Sequence, residues 1–145
     1  MTDAKKKKTG GLAGIVAGQT SISSAGGAHD LRYRGYSIYD LAENCVFEEV
    51  AYLIVYGKLP NKTELADFCK RLAAKRTLPL ELKEVLELIP AHAHPMDVLR
   101  TGVSFLGNLE PETAENDQYH ITERLLATLP SMMVYWWNFV QHENK

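Results

Sequence analysis

The stretch "DLRYRGYSIYDLAENCVFEEVAYLIVYGKLP", residues 30–60, holds two periodicities and the boundary between them. At its start Leu31 and Tyr33 alternate with Arg32 and Arg34, the two-residue repeat of a half-exposed strand. From Ser37 the repeat lengthens. Ser37 is placed to cap "IYDLAENC", with Asp40 at the third helical position, and "FEEVAYLIVYG" follows as a second helix. Phe47, Val50, Ala51, Ile54 and Val55 share one apolar face of that helix, and Gly57 with Pro60 ends it. A short β start followed by helices is the order this stretch predicts.

Working upstream, "TSIS" and the turn signal "AGGAHD" precede "LRYRGY", which predicts a small β-hairpin between Ile15 and Tyr36. Residues 1–12 are expected to form a disordered basic leader, with Lys5 to Lys8 solvated rather than bound to phosphates or a membrane surface. The following "GGLAGIVAG" is too short and too interrupted by glycine for a signal-peptide core, and it lacks the lysine of a phosphate-binding loop.

Downstream, Asn61 and Glu64 form the amide version of a capping box, and Leu65, Phe68, Cys69 and Leu72 supply the helix's apolar face. Pro79 suits a first helical turn, and "LELKEVLELI" repeats apolar residues at three and four up to Pro90. "VLRTGVSFLG" is a helix expected to close at Gly107, and "NLEPETAEND" an acidic loop. The last segment, "QYHITERLLATLPSMMVYWWNFVQH", sets Ile121, Leu125, Leu129, Met132, Met133, Trp136 and Val140 on one broad face, with a kink expected at Pro130. The fold class is mainly α.

With 145 residues the chain is one domain or part of a larger one, and 46% hydrophobic against 23% charged residues is an ordinary globular balance. A net charge of -2 argues against a nucleic-acid binder. No apolar run approaches the roughly 20 residues of a membrane span. Cys45 and Cys69 lack CxxC spacing and read as reduced thiols of a cytoplasmic protein.

The one cluster that invites chemistry is "AHAHPMDVLRTG", residues 91–102. Ligands on a helix stand three or four apart, whereas His92 and His94 are two apart and run into Pro95. A helix start accounts for the arrangement: His94 caps, Pro95 is the first helical residue, and Asp97 faces the dipole. No metal and no cofactor are expected. Ser104 lies mid-helix, away from any nucleophile motif.

Three stretches resemble the citrate synthase family: residues 30–60, "HPMDVLRTGVSFLG" (94–107) and "LLATLPSMMVYWWNF" (125–139). The first is similar to the family's "LRYRGY" and "FEEVAYLLxxGxLP" elements. The second is similar to its "SHPMDVLRTxVSxLG" helix, with Ala93 in place of the usual serine. The wording is closest to the bacterial 2-methylcitrate synthase subgroup. The resemblance implies that residues 13–145 form the N-terminal part of the large helical domain, with a C-terminal remainder and the small domain absent. It implies an enzyme joining oxaloacetate to propionyl-CoA or acetyl-CoA, with acyl-CoA a substrate and not a cofactor.

The family's catalytic histidines and aspartate map outside this chain, so the chain alone is expected to be inactive. Arg71 is carried over as a possible substrate contact, against the simpler reading of a solvated arginine. The resemblance also implies a homodimer packed through helices 95–107 and 118–141, with Met96, Leu99, Val103 and Leu106 on the first and Leu125, Leu129, Met132, Met133 and Trp136 on the second. The alternative is a non-catalytic helical interaction module derived from the same scaffold.

Overall fold

A computed structural model describes residues 18–25 and 31–143, so the basic leader, Ile15 and most of the "AGGAHD" turn lie outside the described residues. Strands β1 (Ser23–Ala25), β2 (Leu31–Tyr33) and β3 (Tyr36–Ser37) form an antiparallel sheet in the order β1-β2-β3. The expected hairpin is thus extended by a third strand, because "LRYRGY" folds back on itself. Arg34 and Gly35 take φ of 50° and 90°, the two positive values that a tight two-residue hairpin turn needs. Glycine adopts this freely; arginine does not. The Arg34 guanidinium compensates, donating to Ser21 Oγ at 2.7 Å and to the carbonyl of Ile54 at 2.9 Å.

Six helices follow among the described residues. Helix α1 (Ile38–Asn44) starts as the sequence predicts, with Ser37 Oγ accepting the Tyr39 N–H. Helix α2 (Phe47–Tyr56) ends on Gly57, whose φ of 81° lets its N–H return to the Leu53 carbonyl. Helix α3 (Lys62–Ala74) carries the full capping box. Asn61 Oδ1 accepts from Thr63 and Glu64, and Glu64 accepts from the Asn61 N–H at 2.9 Å. Helix α4 spans Leu80–Glu87, with Pro79 just before its first turn instead of inside it. Helix α5 (Pro95–Leu109) runs past Gly107, since a lone glycine weakens a helix without ending it. Helix α6 (Gln118–Glu143) begins where Asp117 accepts from the Tyr119 and His120 N–H groups, and it continues through Pro130.

Helix α6 is the spine. On one side Met132, Trp136 and Val140 pack with Leu78, Leu82 and Leu86 from the α4 region and with Val98 and Leu106 of α5. Gly102 permits this approach: a Cβ there would stand 3.0 Å from Met132 Sδ. On the other side Ala127 joins Ala51, Tyr52, Phe68 and Leu72 from α2 and α3.

Two expected faces are corrected. In α2 the buried residues are Ala51, Tyr52 and Leu53, while Phe47 is 65% exposed. The helix is turned so that the Tyr52 ring meets Phe68 edge-on at 5.4 Å. In α6, Met132 and Trp136 are covered within the chain itself, and the Trp136 indole N–H donates to the Ile89 carbonyl. Met96, Val134 and Trp137 are the large apolar residues of α5 and α6 that stay more than half exposed.

Candidate functional site

Near its start α6 places Glu123 and Arg124 side by side, and each gathers partners distant in sequence. Glu123 is 3% exposed. Its Oε1 accepts from Tyr56 Oη at 2.6 Å and from Arg71 Nε at 2.9 Å, with Arg71 Nη2 at 2.8 Å; its Oε2 accepts from Lys75 Nζ at 2.7 Å. Burial disfavours its charge, but the hydrogen bonds from Arg71, Lys75 and Tyr56 outweigh burial and hold its pKa down to about 2. The same burial and the bond to Glu123 push the Tyr56 phenol up to about 12. Arg124 grips both Glu110 oxygens at 2.8 and 2.9 Å and also donates to the Lys75 and Thr77 carbonyls. The pair therefore ties α2, α3 and the end of α5 to one point on α6.

A carboxylate with so low a pKa stays ionised near neutrality and is a poor base. The cluster is thus an anchoring device. It absorbs the Nε and Nη2 edge of Arg71, whose side chain is otherwise part-exposed over the Phe68 ring at 5.7 Å. Sequence patterning missed Glu123; the available signal was a charged pair inside an otherwise apolar helical run.

The histidine stretch takes the predicted form. His94 Nδ1 accepts the Met96 N–H at 3.2 Å, Pro95 begins the helix, and Asp97 pairs with Arg100 at 3.0 Å and not with either histidine. Ser104 is an exposed residue of α5. Among the described residues no three His, Cys, Asp or Glu side chains come together as a metal-binding group, and Cys45 and Cys69 are free thiols.

A cleft of about 660 Å³ opens between α2, α3, α4 and α6. Phe47, Leu72, Leu78, Leu126, Pro130 and Val134 give it apolar walls, and Glu48, Arg76 and Lys83 stand among its polar lining. Lys83 lies over the Tyr135 ring at 5.5 Å, and Tyr135 donates a short hydrogen bond to Glu87 that raises its own pKa.

A family model described as "Citrate synthase, C-terminal domain" matches residues 11–145. The chain belongs to the citrate synthase family. It is 55% identical over 140 residues to a 2-methylcitrate synthase of Shewanella oneidensis, covering 96% of this chain and 37% of that protein. A citrate synthase of Mycolicibacterium smegmatis is 42% identical over 128 residues, covering 85% of this chain and 34% of its own. Among solved structures, the citrate synthase of Pyrobaculum aerophilum superposes with a TM-score of 0.79 at 35% identity, over 90% of this chain and 36% of that one. The chain thus spans little more than a third of the length of the relatives it matches. Its mainly helical fold with a small sheet is the citrate synthase fold over that portion. No described helix is long and apolar enough to cross a membrane.

Proposed function

We propose that this chain serves a cytoplasmic enzyme that condenses oxaloacetate with an acyl-CoA, propionyl-CoA above all, to release 2-methylcitrate and CoA. The observation that carries the reading is the 55% identity to a 2-methylcitrate synthase across nearly the whole chain. Within that enzyme the chain is scaffold. The Glu123 cluster fixes the helices, and the base and electrophile for the condensation come from polypeptide beyond the matched portion. Arg71 serves in this reading first as a clamp on Glu123, and any contact with a substrate carboxylate falls to the edge of its guanidinium that Glu123 leaves open. The working enzyme is a homodimer, with the exposed residues of α5 and α6 as its contact surface.

A thiol-release assay with oxaloacetate and each thioester tests the proposal. The chain by itself should give no turnover. Completed with the missing part of a 2-methylcitrate synthase, it should release CoA from propionyl-CoA faster than from acetyl-CoA. Repurified chain that turns over unaided would overturn the scaffold role, and a completed enzyme that prefers acetyl-CoA would overturn the substrate assignment.

A further inference from the structure

Arg34 differs from the other arginines that the fold holds in place. Arg71 and Arg124 each grip a carboxylate, Glu123 and Glu110. Arg34 is half-buried, yet among the described residues it holds neutral oxygens alone, Ser21 Oγ on Nη1 and the Ile54 carbonyl on Nη2. Its Nε is buried and has no hydrogen-bond partner. A guanidinium taken partly out of water without an anion is costly to keep. The backbone adds to that cost, since a φ of 50° is uncommon for a residue with a side chain. Both costs hold a cation against a serine hydroxyl, and that hydroxyl belongs to an accessible segment. Residues 18–22 are exposed and lie outside strand and helix, and the Arg34 N–H fixes the segment by donating to the Ile22 carbonyl at 2.8 Å.

We propose that Ser21 is a phosphorylation site and that Arg34 is the residue that receives its phosphate. In the reaction Ser21 Oγ attacks the terminal phosphorus of a nucleoside triphosphate bound to a serine/threonine protein kinase. The Oγ–P bond forms and the bond from that phosphorus to the bridging oxygen breaks. The nucleoside diphosphate leaves, and the hydroxyl proton passes to the kinase. The product sets a charge of about −1.5 to −2 beside Nη1, where a neutral acceptor stood before. Nη2 stays on the Ile54 carbonyl, so one guanidinium ties the segment before β1 to the end of α2. A free phosphate ion is the weaker occupant, because the Ser21 oxygen already fills the position 2.7 Å from Nη1. Thr20 is not equivalent, since its Oγ1 accepts the Ile22 N–H at 3.1 Å.

Two measurements test the proposal. The first is mass spectrometry of the chain isolated from the cells that make it, and phosphate on Ser21 is the expected result. No phosphate there in exponential or stationary growth, or phosphate confined to Ser23 or Ser24, overturns the proposal. The second uses the chain with phosphoserine installed at position 21 during synthesis. In hydrogen–deuterium exchange the amides of residues 18–25 and 31–37 should label roughly tenfold more slowly than in the unmodified chain. Arg34→Gln should abolish that difference, with circular dichroism checking that the variant folds. Should it not fold, the phosphorus resonance of the phosphoserine decides, because a phosphate beside a guanidinium titrates at a lower pH in the folded chain than in urea. Equal exchange with and without the phosphate, or equal titration in the two states, overturns the role of Arg34. So does the same protection gained by Ser21→Ala in millimolar inorganic phosphate, which would make this a site for a free anion.

Discussion

Glu123 gathers Tyr56, Arg71 and Lys75 on a single buried carboxylate. Its carboxyl is held at about 2 in the fold against an ordinary 4.5, so the unfolded chain takes up the proton first as pH falls. The stabilisation is therefore complete above about pH 4.5 and drains away as pH drops toward 2. The difference corresponds to about 3 kcal/mol. Urea titrations from pH 7 to pH 3 should show this acid limb, and Glu123→Gln should lose most of it; the same steep limb in both proteins would refute the assignment. At pH 7 Glu123→Ala should cost about 3 kcal/mol, because Arg71 and Lys75 then repel each other without their anion. Why did the sequence hide this residue while showing His94? The partner of His94 is two residues away, so its role is local chemistry. The partners of Glu123 are Tyr56, Arg71 and Lys75, and only the packed helices bring them together.

Helix starts were legible for the same reason, since a cap and the N–H groups it satisfies are neighbours in the chain. Asn61→Ala should therefore destabilise the protein by about 1 kcal/mol in thermal or urea unfolding. Helix rotations were less legible. The sequence offered Phe47 and Val50 to the core, but burying Tyr52 against Phe68 takes more ring surface out of water and turns α2 the other way. A helix end was misread where one residue was given too much weight, at Gly107, which α5 runs past. Gly102 shows how close two of these helices stand. Gly102→Val should cost about 2 to 3 kcal/mol through the clash with Met132 and Leu86, outweighing any gain in helix propensity. A variant as stable as the parent would mean that α5 and α6 can move apart at little cost.

At the scale of the molecule, the order of a small β start and then helices was readable from residues 30–60, and the citrate synthase family was readable from three short stretches. The cleft was not, because its walls come from four helices that are far apart in the sequence. Among the elements described, β2 and β3 make their substantial packing contacts with α1, whereas α3, α4 and α5 all pack on α6. Arg34 reaches across this divide to the Ile54 carbonyl at the end of α2. Such a layout divides the chain into two regions of unequal resistance to opening. In hydrogen–deuterium exchange the amides of β2, β3 and α1 should label well before those of α4, α5 and the middle of α6, and Arg34→Ala should hasten the first group without touching the second. Uniform exchange throughout would mean one cooperative unit. If the two regions do part, the strand end of the molecule can breathe, and be clipped by a protease, while the helical spine keeps its shape.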